Sequence, residues 1–406
     1  MDNSLQSARR ITGVQAGTTA YHRINLALFC AGFVTFITLY DVQPLLPLFA
    51  REFGVVPAIA SLPLSISTMA LACGLLLAGS VSDGIGRRPL MAVAMLLASL
   101  LTLATWFSHS FDSLLALRLL LGLVLAGIPS VAMAYLGEEM DAHAVGSAMG
   151  LYISGNAFGG MTGRIGSALL CDYVPWHTAI VLIGCVSLGL SLFFLLTLPP
   201  SANFRRTPFS IGSFFSLLAR HVKDPGLLCL YGLAFLSMGG FISLYNYIGF
   251  RLLAAPYNLS QSQVSLIFLV YLGGSFSSGA TGALLQRFGR PFMIRFTLAT
   301  MLFGTFVTLA KPLPLIILGV GIFTAGFFCA HAIASGWVGR RASIGKAQAS
   351  SLYLFCYYQG SSISGTLGGV FWQHFGWQGV ASMIALVLLA ALGVVTLLLR
   401  LPAAEQ

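Results

Sequence analysis

Twelve apolar runs shape everything this chain can fold into. They fall near 24–48, 58–80, 90–107, 113–136, 144–170, 177–198, 226–252, 260–285, 291–310, 314–337, 347–371 and 376–399. Each is roughly 20 residues, enough to cross about 30 Å of hydrocarbon as a helix. With 57% hydrophobic and 8% charged residues in 406, no globule of this size has the interior to hide so much apolar surface. The backbone must satisfy its own hydrogen bonds inside lipid, and runs of this length do so as helices. The expectation is an all-α membrane protein of twelve transmembrane helices. Met1 to Tyr21 is polar and leads into a run too long for a signal core, so no cleaved leader is expected.

Charge sets the orientation. Of 21 lysines and arginines, sixteen lie on one side of these runs, from Arg9 and Arg10 through Arg205, Arg206 and Arg340 to Arg400. Only Arg51, Arg251 and Lys311 lie on the other, which places both termini in the cytoplasm. The net charge of +10 is thereby explained without a nucleic-acid partner. The seven cysteines sit in apolar segments without metal-ligand spacing, so neither a metal site nor a disulfide is expected.

The loop between the second and third runs reads Gly79-Ser-Val-Ser-Asp83-Gly-Ile-Gly86-Arg87-Arg88-Pro89. Gly282-Ala-Leu-Leu-Gln286-Arg287-Phe-Gly289-Arg290-Pro291 repeats its glycine spacing, with Gln286 at the position of Asp83. Two further matches follow at nearly the same offset. Ser243-Leu-Tyr245-Asn246-Tyr247 answers Thr38-Leu-Tyr40-Asp41-Val42, and Leu352, Tyr353, Gly360 and Trp377 answer Leu151, Tyr152, Gly159 and Trp176. Such self-similarity marks a six-plus-six duplication.

The first loop resembles the pattern Gly-x-x-x-Asp-x-x-Gly-Arg-(Arg/Lys) between spans two and three of the major facilitator superfamily. Arg118, four residues before Gly122, is similar to that superfamily's span-four motif. The run from Gly150 through Gly155, Gly159, Gly160 and Gly163 resembles the glycine-rich span-five motif of drug/proton antiporters, but lacks its Gly-Pro and carries Arg164. The resemblance covers essentially the whole chain, and it points within the superfamily to the twelve-span drug/proton antiporters, the arabinose or multidrug efflux branch. It implies two pseudo-symmetric six-helix halves around an axis along the membrane normal. The expected organisation is a cytoplasmic tail over 1–22, halves over 23–198 and 226–400, a polar linker over 199–225 that includes an amphipathic stretch from Phe209 to His221, and a tail over 401–406. The resemblance also implies a cytoplasmic gate of Gly79, Asp83, Gly86, Arg87, Arg88, Glu138 and Glu139, in which Asp83 caps the amino end of span eleven and an arginine reaches the acids Glu138, Glu139 or Asp141.

A charge inside hydrocarbon costs at least about 2.5 to 3.5 kcal/mol, so each one there demands a reason. Asp41, Arg118 and Arg164 qualify, and counting along each helix puts all three at one depth, where they are expected to form one cluster. Asp41 reads either as a proton carrier or as half of a fixed ion pair between spans one and five. Arg118 either tunes Asp41 or meets an anionic group, and Arg164 either shares the coupling or serves as a structural pair in a glycine seam. His331 titrates in the useful range, although a lone buried histidine also serves as a structural hydrogen-bonding residue. Tyr40, Gln43, Asn156, Tyr245, Asn246, Tyr247, Tyr353, Tyr357 and Gln359 offer aromatic faces and polar tips for a cavity taking an amphipathic or cyclic solute, and about half are expected to do ordinary packing instead.

There is no Walker loop and no group of residues for catalysis, so an enzyme is not expected. The expected function is a proton-coupled secondary transporter of the inner membrane, exporting a small organic solute as a monomer, with the proton gradient as its energy source and no cofactor. A symporter importing an organic anion on Arg118 and Arg164 is the alternative. A sensor that has kept the fold but lost transport is another.

Overall fold

The computed structural model describes residues 13–204, 206, 211–342 and 344–402, and these are almost entirely helical. Most of both expected tails falls outside them, as do Arg205, Pro208 and Phe209 of the linker. Span one is α1 (Thr19–Tyr40), a 3-10 turn at Gln43–Leu45 and α2 (Leu46–Glu52). The short α3 (Pro57–Ala60) precedes α4 (Leu62–Ile85), and α5 (Arg87–Ala104) follows it. Span four is divided into α6 (Phe111–Leu125) and α7 (Pro129–Glu139); α8 (Val145–Cys171) and α9 (Trp176–Thr197) complete the first half. After α10 (Ile211–Lys223) in the linker come α11 (Pro225–Leu253), α12 (Gln261–Ser265) with α13 (Val270–Phe288), α14 (Arg290–Val307), α15 (Leu313–Arg341) and α16 (Lys346–Leu398).

Among the described residues eight helices are long and apolar enough to cross a membrane. One of them, α16, has 53 residues, roughly 80 Å at helical rise and far more than one crossing. Gly376 interrupts it at φ 58° and ψ −146°, so it is two spans joined by a sharp bend. The remaining three spans are α8, α13 and α14, whose glycine, serine and arginine content lowers their hydropathy. Twelve crossings result, as expected from the apolar runs.

The duplication is visible in the packing. A Cβ on Gly155, Gly159 or Gly163 would strike the backbone of Phe29, Phe33 or Ile37, so α8 lies directly against α1. In the second half a Cβ on Gly360 would strike the backbone of Phe235, pressing α16 onto α11 in the same way. Small residues at a seam let helix backbones touch. The two loop motifs also match. Gly86 and Gly289 take φ of 108° and 76° between paired helices, a conformation that L side chains rarely adopt.

Among the described residues, the hydrogen bonds between the two halves run from the bundle's middle to the end away from the chain termini. Thr68 meets Ser362 at 2.8 Å, Thr366 donates to Ser65 at 3.0 Å, Gln43 donates to Asn246 at 2.8 Å, and the Ser262 amide donates to Asp172 at 3.2 Å. Gln261 donates to the Pro44 carbonyl at the same end.

The gate residues accordingly sit within one half. Arg87 pairs with Glu138 at 2.7 Å, as expected, and with Asp83 at 2.6 Å. Asp83, in the last turn of α4, thus meets the arginine that opens α5 and not the amino end of span eleven, because the halves meet at the opposite end. Arg87 also donates to Ser82. Arg88 donates to the Leu195 carbonyl at 2.8 Å, and Glu139 accepts from the Asn203 amide at 2.8 Å. The segment just after residue 12 packs onto the end of α7. Val14 bridges to Met140, its amide donating to the Glu139 carbonyl at 2.8 Å.

Candidate functional site

Proline builds the site. Pro44 has no N–H to offer the Tyr40 carbonyl and Pro47 none for Gln43, so span one cannot continue as one α-helix through 41–45. A helix end leaves carbonyls without partners, which is costly in a dry interior. Arg118, from α6, supplies the donors. Its Nη1 donates to the Thr38 carbonyl at 2.9 Å and its Nη2 to the Leu39 carbonyl at 2.6 Å. Nε donates to the Pro63 carbonyl at 3.2 Å and to Ser67 Oγ at 3.1 Å, and Ser67 donates back to the Arg118 carbonyl.

The same guanidinium meets Asp41, with Nη1 3.0 Å from Oδ1. Asp41 is 0% and Arg118 1% exposed. This pair joins spans one and four, not spans one and five as the alternative reading had it. The other carboxylate oxygen, Oδ2, is buried and among the described residues accepts no hydrogen bond. A carboxyl group with one paired and one unspent oxygen has room to hold a proton.

Arg164 does not join them. It lies on α8 and is 3% exposed, yet its partners are neutral. Nε donates to Gln43 Oε1 at 2.6 Å and Nη1 to the Gly160 carbonyl at 2.8 Å. The guanidinium carbon lies 3.7 Å from the centroid of the Tyr40 ring, 4.9 Å from Tyr271 and 5.2 Å from Phe268. A cation over aromatic faces is stabilised by the ring quadrupole, more so when dry. The expected single cluster is therefore two groups. Tyr40 and Asp41 are neighbours in sequence at the end of α1, and each serves a different arginine.

From Arg164 an aromatic face runs down the second half. Tyr271 packs on Tyr245 with centroids 4.9 Å apart, Tyr245 on Phe241 at 4.9 Å, and Phe241 on Phe327 at 3.9 Å. Phe327 stacks on His331, which lies 4.9 Å from Tyr357. His331 Nδ1 and the Tyr353 hydroxyl are 3.0 Å apart. His331 thus belongs to the far end of this face and not to the arginine groups.

The expected cavity residues divide. Tyr40, Gln43, Tyr245, Asn246, Tyr353 and Tyr357 belong to this connected set, Tyr245 also bonding Thr324 at 2.7 Å. Gln359 reaches across the halves to Cys73 at 3.9 Å. Tyr247 is fully buried and donates to the Gly365 carbonyl at 2.6 Å, so it fastens α11 to α16. The Asn156 amide oxygen lies over Gly32 in the α1–α8 seam. Sequence reasoning missed Phe241, Phe268, Tyr271 and Phe327, because an aromatic residue in an apolar run carries no mark of which way it faces.

Comparison with known proteins agrees with this architecture. A profile of the Major Facilitator Superfamily matches residues 25–253. The chain is 48% identical over 382 residues to the MFS-type transporter YybF of Bacillus subtilis, covering 94% of this chain and 95% of the other. It is also 48% identical over 387 residues to the inner membrane transport protein YnfM of Escherichia coli, covering 95% and 93%. Among solved structures, the nucleoside transporter NupG superposes with a TM-score of 0.77 at 15% identity, over 93% of this chain and all of the other. A bacterial homologue of the lysosomal transporter Spinster, in an inward-facing and occupied conformation, gives 0.75 at 14% identity, over 95% and 98%. With its twelve crossings, matched seams and paired loop motifs, the chain is a multi-pass membrane transporter of the major facilitator superfamily.

Proposed function

We propose that this transporter couples the movement of a small organic solute to protons by alternating access, with Asp41 as the proton carrier and no cofactor. The observation that carries the reading is the Asp41–Arg118 pair, buried at the broken end of α1 with Oδ2 unspent. When Arg118 holds the carboxylate, the charged form is favoured; when the pair is loosened in a dry site, a proton is favoured. Access to that carboxyl from alternate sides makes the exchange a transport step. On the orientation argued from charge, the closed end is the outer one, both termini are cytoplasmic, and the protein works as a monomer in the inner membrane. Cysteines introduced at Ser201 and Gln286 in a cysteine-free background should then be labelled from the cytoplasm only, and one at Ser110 from outside only.

The glycine-rich span five favours export in exchange for protons, as in the drug/proton antiporters of the efflux branch. A second reading rests on Arg164, a buried cation without a carboxylate, which favours cotransport of an organic anion. A proton on Asp41 and an anion on Arg164 would each raise the affinity for the other, and that is the linkage of a symporter. Proteoliposomes separate the readings. Under an imposed pH gradient, solute entry should alkalinise the medium that supplies the solute if the two move together, and acidify it if they exchange. No solute-dependent proton movement with any solute that binds would contradict proton coupling, and binding without flux would favour a sensor.

A further inference from the structure

Arg164 is the place where the interior leaves a charge unbalanced. Arg118 is neutralised by Asp41, but among the described residues no carboxylate lies within the 4.0 Å of an ion pair with Arg164. Its charge is held by π faces, an amide oxygen and a backbone carbonyl, all of them neutral. A guanidinium offers five N–H donors in a fork shaped for a carboxylate, and among the described residues Arg164 pairs with none.

A second buried donor stands one link away. Asn246 is 2% exposed, its oxygen accepts from Gln43, and its Nδ2 is buried without an acceptor among the described residues. Gln43 lies between the two, its Oε1 taken by Arg164 and its Nε2 spent on Asn246. An unbalanced cation on one side of a neutral acceptor and an unspent amide donor on the other are a deficit of negative oxygen. A carboxylate fills that deficit better than an amide oxygen does, because its hydrogen bonds to a guanidinium are charge-assisted and bidentate. The aromatic faces of Tyr40, Tyr271 and Phe268 around the guanidinium suit a flat apolar ring attached to it.

We infer that the transported solute is an organic carboxylate with a planar ring, whose carboxylate takes Arg164 in place of the Gln43 oxygen. The inference rests on the transporter reading and settles on the second form of it. It also gives binding a conformational consequence. Gln43 connects Arg164 in the first half to Asn246 in the second, so an anion that displaces Gln43 loosens a contact that keeps this end closed.

The full chain in lipid nanodiscs, titrated with benzoate, benzamide and benzylamine and followed by thermal shift, tests this. Benzoate is expected to bind, with benzamide and benzylamine at least about tenfold weaker. Arg164→Gln should abolish the preference for benzoate and Arg164→Lys should keep part of it. If Arg164→Gln does not fold, Gln43→Ala still decides the matter. Removing the competing oxygen should leave benzoate affinity equal or higher, whereas a merely structural Gln43–Arg164 contact predicts a loss. Absence of any benzoate effect, equal binding of the amide or amine, or a preference surviving Arg164→Gln would overturn the inference. Benzoate binding through Arg164 without gradient-driven flux would sink the proton-coupling reading and leave this one. Gradient-driven flux of benzylamine but not of benzoate would do the reverse.

Discussion

Arg118 and Arg164 are both almost wholly buried in the first half, yet they are held in opposite ways. Arg118 is closed on itself, with a carboxylate for its charge and four oxygens, from Thr38, Leu39, Pro63 and Ser67, for its other hydrogen bonds. Arg164 has aromatic faces, one amide and one carbonyl. Burial of charge is tolerated in both, but only the first arrangement is complete without another molecule. The difference suggests a division of work, in which one arginine governs a proton and the other waits for a ligand.

Unequal stability is the largest expected consequence. Arg118→Gln strands the Asp41 carboxylate and uncaps α1, and should cost about 3–5 kcal/mol. Adding Asp41→Asn to it should recover much of that loss, which thermal unfolding of the two variants would show. Arg164→Gln removes an unbalanced charge and should cost far less, no more than about 1 kcal/mol. Equal losses at the two positions would erase the comparison.

A smaller effect is expected at the seams that bring the arginines into place. Gly159→Ala puts a methyl group into the Phe33 backbone and Gly360→Ala one into Phe235, each costing about 1–3 kcal/mol. Because the Arg164 group spans the α1–α8 seam, Gly159→Ala should weaken benzoate binding while Gly360→Ala leaves it nearly unchanged. The smallest effect is expected at the gate. The Asp83–Arg87 pair has a half-exposed acid, and such pairs contribute about 0–1 kcal/mol. Asp83→Asn should shift the balance of open and closed states by no more than a few-fold, as a distance probe between the two halves at that end would register.

How much of this was legible in the sequence follows from what each feature needs. The spans, the glycine seams and the repeat were readable because each is a local or periodic signal. α8, α13 and α14 were readable as apolar runs although glycine, serine and arginine dilute their hydropathy. Asp41, Arg118 and Arg164 announced themselves as charges in hydrocarbon. Their partners did not, because Arg118 reaches residues 38, 39, 63 and 67, which only packing brings together. The neutral partners of Arg164 carry no charge signal at all. Tyr247 and Asn156 share stretches with residues of the connected set and still face a seam, since helical periodicity fixes relative directions but not which neighbour lies there. The expected contact of Asp83 with span eleven needs the halves to meet at that end, and here they meet at the other, which no local signal reveals.

The central claim is that Asp41 carries the coupled proton, and Asp41→Asn tests it most directly. The asparagine fills the same space beside Arg118 and holds no exchangeable charge. In proteoliposomes the variant should still exchange labelled solute for unlabelled across the membrane, with little dependence on pH, and should fail to concentrate solute when a proton gradient is imposed. If it accumulated solute against a concentration gradient at the wild-type rate, Asp41 would not be the proton carrier, and His331 beside Tyr353 would be the next residue to change.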